Sequence, residues 1–188
     1  MTRVGIVSGW WMCVALLAAA GCNSPGPSNQ PGAATPARRL EQRAHIYRSI
    51  LEQQDPTLDK FFKGSAGYVV FPEVGKVGAG IAAGGGKGVL FENGQPSGYV
   101  ELFHASLGLQ LGGQTYTEVI FFRTPAEVSR LKNNNFEFDA TANAVGVTRG
   151  VGQSVDYTNG VAVFVLSREG LMFDASVGGQ KFSFWPKS

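Results

Sequence analysis

The side chains able to act as acids, bases or nucleophiles are few and scattered. His45 lies in a basic stretch and His104 in an alternating one, and neither has the HxxE, HExxH or CxxC company that a metal site requires. Ser106 follows His104 by two residues, which on a strand places both on one face, whereas a nucleophile elbow needs GxSxG at a strand-to-helix turn. Glu101, Glu118, Asp139, Asp156 and Asp174 fall on several expected strands, so two of them could meet only inside a closed sheet. Phosphate chemistry fares no better. Gly78-Ala79-Gly80-Ile81-Ala82-Ala83-Gly84 is one residue too long for GxGxxG and leads into no helical pattern that could offer its N-terminus to a pyrophosphate. Gly86-Lys87 is followed by Gly88 instead of Ser or Thr, and Ile81 stands where a P-loop has its first glycine. The inventory points to a binding protein with no cofactor and no metal, not to an enzyme.

The cysteines carry a different message. Arg3 followed by the apolar run Ile6 to Ala20 and the small residues Ala19-Ala20-Gly21 before Cys22 predicts an export signal over 1–21, its apolar core too short for a membrane-spanning helix of about 20 residues. The ending resembles the bacterial lipoprotein signal, which implies a lipid-modified Cys22 as the first mature residue. Ala19 departs from that pattern, where Leu is commoner. By the same resemblance, Asn23 in place of Asp implies the outer membrane. Cys13 would leave with the signal, so no thiol remains for a disulfide or a metal. The formal net charge of the whole sequence is +2, which gives no sign of a nucleic-acid partner.

Residues 22–37 are rich in Pro, Gly, Ser, Asn and Gln, with no large apolar side chain, and read as a flexible tether with a span on the order of 20 Å. A domain is expected over 38–188. From Arg38 to Gln54, Leu40, Ala44, Tyr47 and Leu51 recur at helical spacing with Arg38, Arg39, Arg43 and Arg48 on the flanks, a basic amphipathic helix. Leu58, Phe61 and Phe62 with Lys60 and Lys63 predict a second short helical piece. Two uses of these segments stand side by side: their apolar faces cover one opening of the sheet, and their cations meet anionic headgroups, each worth roughly 1 kcal/mol near a charged surface.

The stretch that organises the chain is Ser65 to Phe91. Tyr68 to Phe71 is an apolar strand expected to end or to reach a sheet edge at Pro72, which cannot donate to a ladder. Gly75 to Ala83 is nearly all small, so another backbone or a ligand can come close, and Lys87 to Phe91 restarts a strand before an Asn93-Gly94 hairpin. Gly98 to Leu111 reads as one long or bent strand, with Tyr99, Glu101 and Phe103 on one face and Gly108 at the bend, and Thr115 to Arg123 as a buried strand. Thr124-Pro125-Ala126-Glu127 signals a helix over Pro125 to Lys132 with Val128 and Leu131 inward. Ala140 to Thr148, Val151 to Tyr157, Val161 to Ser167, Leu171 to Ser176 and Gln180 to Trp185, separated by glycine turns, predict an antiparallel meander. Roughly nine to eleven strands exceed one flat sheet. The expected fold is therefore mainly β with a few helices, α+β, its antiparallel sheet closed into a barrel or a sandwich and capped by the N-terminal helix.

The blocks SAGYVVFP, GAGIAAGGGKGVLF, SLGLQLGGQTYTEVIFF, NNNFEFDATANAVGVTRG and SREGLMFDASVGG, in that order, resemble the SYLF domain, the lipid-binding domain of yeast actin-patch SH3 proteins, over about Leu40 to Phe184. The resemblance implies binding of membrane phospholipid, in eukaryotic members phosphoinositides, through a basic surface and an amphipathic leading segment. It makes Lys76 and Lys87, in the matching glycine block, candidate headgroup contacts. Arg38, Arg39, Arg43, Arg48, Lys60 and Lys63 correspond to the basic leading segment by position. Actin, bound by some yeast members, is not expected of an exported bacterial lipoprotein. The alternative is a structural envelope module that holds another protein or a second copy of itself.

Overall fold

The computed structural model describes residues 34–134, 137–138, 144–167 and 177–187. Cys22, the expected signal, most of the expected tether, Asp139, Asp174 and the expected strand over 171–176 lie outside the described residues. The elements are α1 (Pro36–Gln54), a 3-10 turn (Pro56–Leu58), α2 (Asp59–Gly64), β1 (Gly67–Glu92), β2 (Gln95–Phe122), α3 (Pro125–Lys132), β3 (Glu137–Phe138), β4 (Ala144–Gly146), α4 (Val151–Ser154), β5 (Val161–Ser167) and β6 (Val177–Pro186). The class is α+β.

Helix α1 takes in the last two residues of the expected tether, Pro36 and Ala37. Thr35 caps it, its hydroxyl accepting from the Arg38 N–H at 3.3 Å, and Pro36 sits in the first turn, where a missing N–H costs nothing. The same Thr-Pro device opens α3, where Thr124 and Glu127 complete a capping box and Val128 and Leu131 are buried as expected.

β1 and β2 form a single antiparallel hairpin with its turn at Asn93-Gly94, whose φ values of 51° and 75° are those a two-residue turn demands. Pro72 does not end the strand but lies on a sheet edge, the second of the two outcomes expected of it. A register shift between Phe71 and Val74 absorbs it. Among the described strands β1 pairs only with β2, so it is an edge on which a missing N–H is tolerated, and the Pro72 carbonyl accepts from the Thr117 hydroxyl at 3.0 Å. The register shifts again between Ala79 and Ile81, whose partners are Leu111 and Leu107, so Gly108 lies in the irregular stretch where the bend was expected.

At that bend the hairpin folds over on itself. β2 is the spine: on its other side it pairs with β6 along residues 98–107 and with β5 along 116–122, both antiparallel. The two halves face one another. Phe71 meets Phe182 with ring centroids 6.2 Å apart, His104 Nδ1 and the Tyr116 hydroxyl lie 3.1 Å apart, and Gln180 Nε2 donates to the Glu118 carboxylate at 3.2 Å. Val69, Phe71, Val74, Leu90, Leu102, Ile120, Phe122 and Phe182 fill the space between them, a fully buried aliphatic or aromatic side chain contributing about 1.5–3 kcal/mol. A second cluster seats α1 and α2 on the outside through Ala44, Leu51, Phe61 and Phe62 against Tyr68, Val70, Phe91, Phe121 and Phe164.

Three expectations about the sheet are corrected. Among the described residues six strands run in the order β3-β6-β2-β5-β4 with β1 beside β2, because stretches expected as separate strands merge into β1 and β2. No described ladder joins β3 to β4, so the sheet is not closed into a barrel. β4 lies parallel to β5, so the last third is not an antiparallel meander. The expected strand over Val151 to Tyr157 instead begins with α4. Its amides are already engaged: the buried Asp55 carboxylate accepts from Gly150 N at 2.9 Å and Gly152 N at 2.8 Å, as well as from the Thr57 amide and hydroxyl. Burial alone would raise the Asp55 pKa, but these donors hold it below the usual 3.8.

A strand that doubles back needs its two arms to touch at the backbone. A Cβ on Gly84 would strike the Gly75 carbonyl, and one on Gly86 the Glu73 carbonyl, while Gly75 itself has open space beside it. Gly84→Ala and Gly86→Ala are therefore expected to lose about 1–3 kcal/mol in urea unfolding, and Gly75→Ala to be neutral or slightly stabilising. Equal effects at the three positions would contradict the packing.

Candidate functional site: a groove and an open sheet face

The expected cationic residues do not form one surface. Arg48 is held inside the domain, its Nε on Glu52 at 3.1 Å, its NH1 donating to the Tyr68 hydroxyl at 2.9 Å, and its guanidinium over the Phe62 ring at 5.1 Å. Lys60 donates to the Val155 carbonyl at 3.3 Å and lies over Phe61, and Lys63 pairs with Asp59 one turn away at 2.7 Å. Lys76 is only 6 % exposed on the interior face of β1, two residues beyond Val74, so it does not present itself at the surface as expected. Arg38 is exposed at the start of α1.

The structure does bring Arg39, Arg43 and Lys87 together. They line a groove of about 850 Å³ between the first turns of α1 and the sheet, with Leu40, Glu73, Tyr99, Glu101 and Trp185 among its other walls. Arg43 is spoken for by Glu73 at 2.7 Å. Tyr99 is fixed by its hydroxyl, which donates to Glu41 at 2.7 Å, and Lys187 braces the same carboxylate at 2.8 Å.

Beside the groove the outer face of the 81–107 half is open. Register puts Ile81, Ala83, Gly85 and Lys87 of β1, Glu101, Phe103 and Ala105 of β2, and Lys181, Ser183 and Trp185 of β6 on that one face. Helix α1 covers only its upper end, at Val89 and Phe91. Ile81, Phe103 and Trp185 remain 68 %, 58 % and 48 % exposed. By register they fall on a diagonal, each about four residues from the next, a stripe of roughly 27 Å at 3.3 Å per residue. Sequence reasoning left Phe103 and Trp185 off its site, although the alternation of Tyr99, Glu101 and Phe103 against Val100 and Leu102 already separated the two faces.

Polar groups also meet inside. His104 and Gln180 are cross-strand neighbours, and with Tyr116 and Glu118 they make a buried polar patch in the apolar core. His104 is a hydrogen-bonded wall residue, as its place in a strand suggested. The Gln180 Oε1 is buried without a hydrogen-bond partner. Burial pushes the Glu118 carboxyl up to about 7, against the hydrogen bond from Gln180 that favours its ionised form. Among the described residues no three His, Cys, Asp or Glu side chains are placed to hold a metal ion, and no helix is long and apolar enough to cross a membrane.

A carboxyl whose pKa is higher in the folded than in the unfolded state binds its proton more tightly when folded. Stability therefore falls as pH rises from about 4.5 to about 7 and levels off above. Glu118→Gln removes that slope. Its advantage over the parent chain is expected to grow by roughly 2–3 kcal/mol across this window in urea unfolding at stepped pH; parallel curves for the two proteins would show that Glu118 is not the group responsible.

No protein-family model matches the chain. The chain is similar to a protein named beta cell expansion factor A from Aeromonas veronii, 25 % identical over 134 residues, which is 70 % of this chain and 51 % of that protein. It thus spans about half the length of the curated relative it matches.

Proposed function

We propose that the chain is an SYLF-type lipid-binding protein that docks on phospholipid bilayers through the open outer face of its folded, sandwich-like hairpin. The observation that carries this reading is the diagonal of Ile81, Phe103 and Trp185, exposed on a single face beside Lys87, Lys181 and the Arg39 end of α1. Aromatic and aliphatic side chains bordered by lysine and arginine suit the boundary between headgroups and acyl chains, where apolar area enters and each cation adds roughly 1 kcal/mol on an anionic surface. Of the two uses expected of the basic helix, covering the sheet takes most of it. Its apolar face is spent on the domain, and only Arg38, Arg39 and the groove lysine stand ready for headgroups. An anchor at Cys22 in the outer membrane, following a signal over 1–21, would hold the face near the bilayer and lower the affinity it must supply alone.

Flotation of the Cys22→Ser chain with vesicles tests the reading. Binding is expected to rise with phosphatidylglycerol content, to drop at least tenfold in Phe103→Glu and Ile81→Glu with melting temperature unchanged, and to survive Lys63→Glu. Indifference to vesicles, or flotation of the two glutamate variants equal to the parent, would refute it. A detergent-stable dimer lost in those same variants would assign the face to a second copy instead.

A further inference from the structure

The groove beside α1 holds one charge for which docking on an anionic surface has no use, the Glu101 carboxylate. Lys87 and Glu101 are direct cross-strand partners, so their Cβ atoms stand about 4.5–5.5 Å apart on one face. Opposite charges in that position ordinarily close on each other, yet among the described residues neither makes a hydrogen bond or ion pair. Arg39 is likewise uncommitted, while Arg43 and Glu73 neutralise one another. The groove thus presents two cations and one carboxylate, between walls that include Tyr99 and Trp185. A phosphate alone would gain from Arg39 and Lys87 but meet Glu101. An ammonium alone would face the reverse conflict. One small molecule carrying both groups a short link apart satisfies all three side chains, and the aromatic walls favour its cationic end.

We infer that the groove binds a phosphoethanolamine zwitterion, its phosphate on Arg39 and Lys87 and its primary ammonium on Glu101 beside Tyr99 and Trp185. A primary ammonium suits the site better than choline because Glu101 can accept its N–H groups. The inference rests on the phospholipid reading only for the source of the ligand; a soluble phosphoethanolamine compound offers the same chemistry.

The test uses the Cys22→Ser chain and three soluble probes, glycerophosphoethanolamine, glycerophosphoglycerol and ethanolamine, followed by chemical-shift perturbation. The first is expected to bind at least tenfold more tightly than the other two. Glu101→Gln should erase its advantage over glycerophosphoglycerol and Lys87→Gln should weaken it about tenfold, both with unchanged melting, whereas Phe103→Glu should leave it intact. Equal binding of the two glycerophosphodiesters, or an unaltered preference in Glu101→Gln, would overturn the inference. Flotation with vesicles of one fixed phosphatidylglycerol content, the remainder being phosphatidylethanolamine or phosphatidylcholine, then separates the sources. Preference for the first supports the lipid headgroup, and its absence beside tight soluble binding supports a soluble ligand. Vesicle binding indifferent to headgroup, with no soluble binding, sinks the groove and spares the sheet face. Soluble binding without any flotation does the opposite.

Discussion

The fold depends on a contact between two arms of one strand. β1 doubles back so that Gly84 and Gly86 lie against the carbonyls of Gly75 and Glu73, an approach that any side chain at those two glycines would prevent. Because the arms touch, the partner strand β2 is bent at the same level, and its two halves recruit different neighbours, β6 on one and β5 on the other. The interior exists only as the space this fold-over encloses. Large core side chains meet across that space, Phe71 of the hairpin against Phe182 of β6.

That arrangement leaves the two outer faces unequal. The half carrying Tyr68, Val70 and Phe121 is roofed by α1 and α2, whose aromatic residues interlock with it: Phe62 stands edge-on to Phe121 with centroids 4.8 Å apart. Seating the helices consumes much of their charge. Arg48, Lys60 and Lys63 stabilise the roof through cation–aromatic contacts, a backbone carbonyl and a one-turn ion pair. The other half is roofed only at its edge, so Ile81, Phe103 and Trp185 stay in water. An apolar diagonal left exposed in this way is the surface proposed to meet a bilayer, and Lys87 and Arg39 lie at its border.

Electrostatics divides inside from outside in the same manner. In the interior, burial makes Glu118 hold its proton more tightly than an exposed carboxyl, and the Gln180 amide opposes that only in part. On the surface, Lys87 and Glu101 stand opposite one another across the strand pair at the groove, and their failure to pair leaves both side chains available. A single face thus combines apolar area with both signs of charge.

The local signals were legible in the sequence wherever the chain itself sets the geometry. Asn93-Gly94 determined the hairpin, Thr124-Pro125 with Glu127 determined α3, and the density of small residues over 75–86 announced a close backbone approach. Thr35-Pro36 carried the same cap as Thr124-Pro125 and placed the start of α1 in plain sight. What the tertiary structure alone decided depends on contacts distant in the chain. Pro72 reads equally as a strand end or an edge until the pairing of β1 selects the edge, and Val151 to Tyr157 reads as a strand until Asp55, some 95 residues away, takes the amides of Gly150 and Gly152. Lys76 and Lys87 sit in one glycine-rich run of identical character, yet the fold-over buries the first and leaves the second at a groove. Alternation fixes which residues share a face of a strand; only the packing of the helices against one half of the sheet fixes which face meets water.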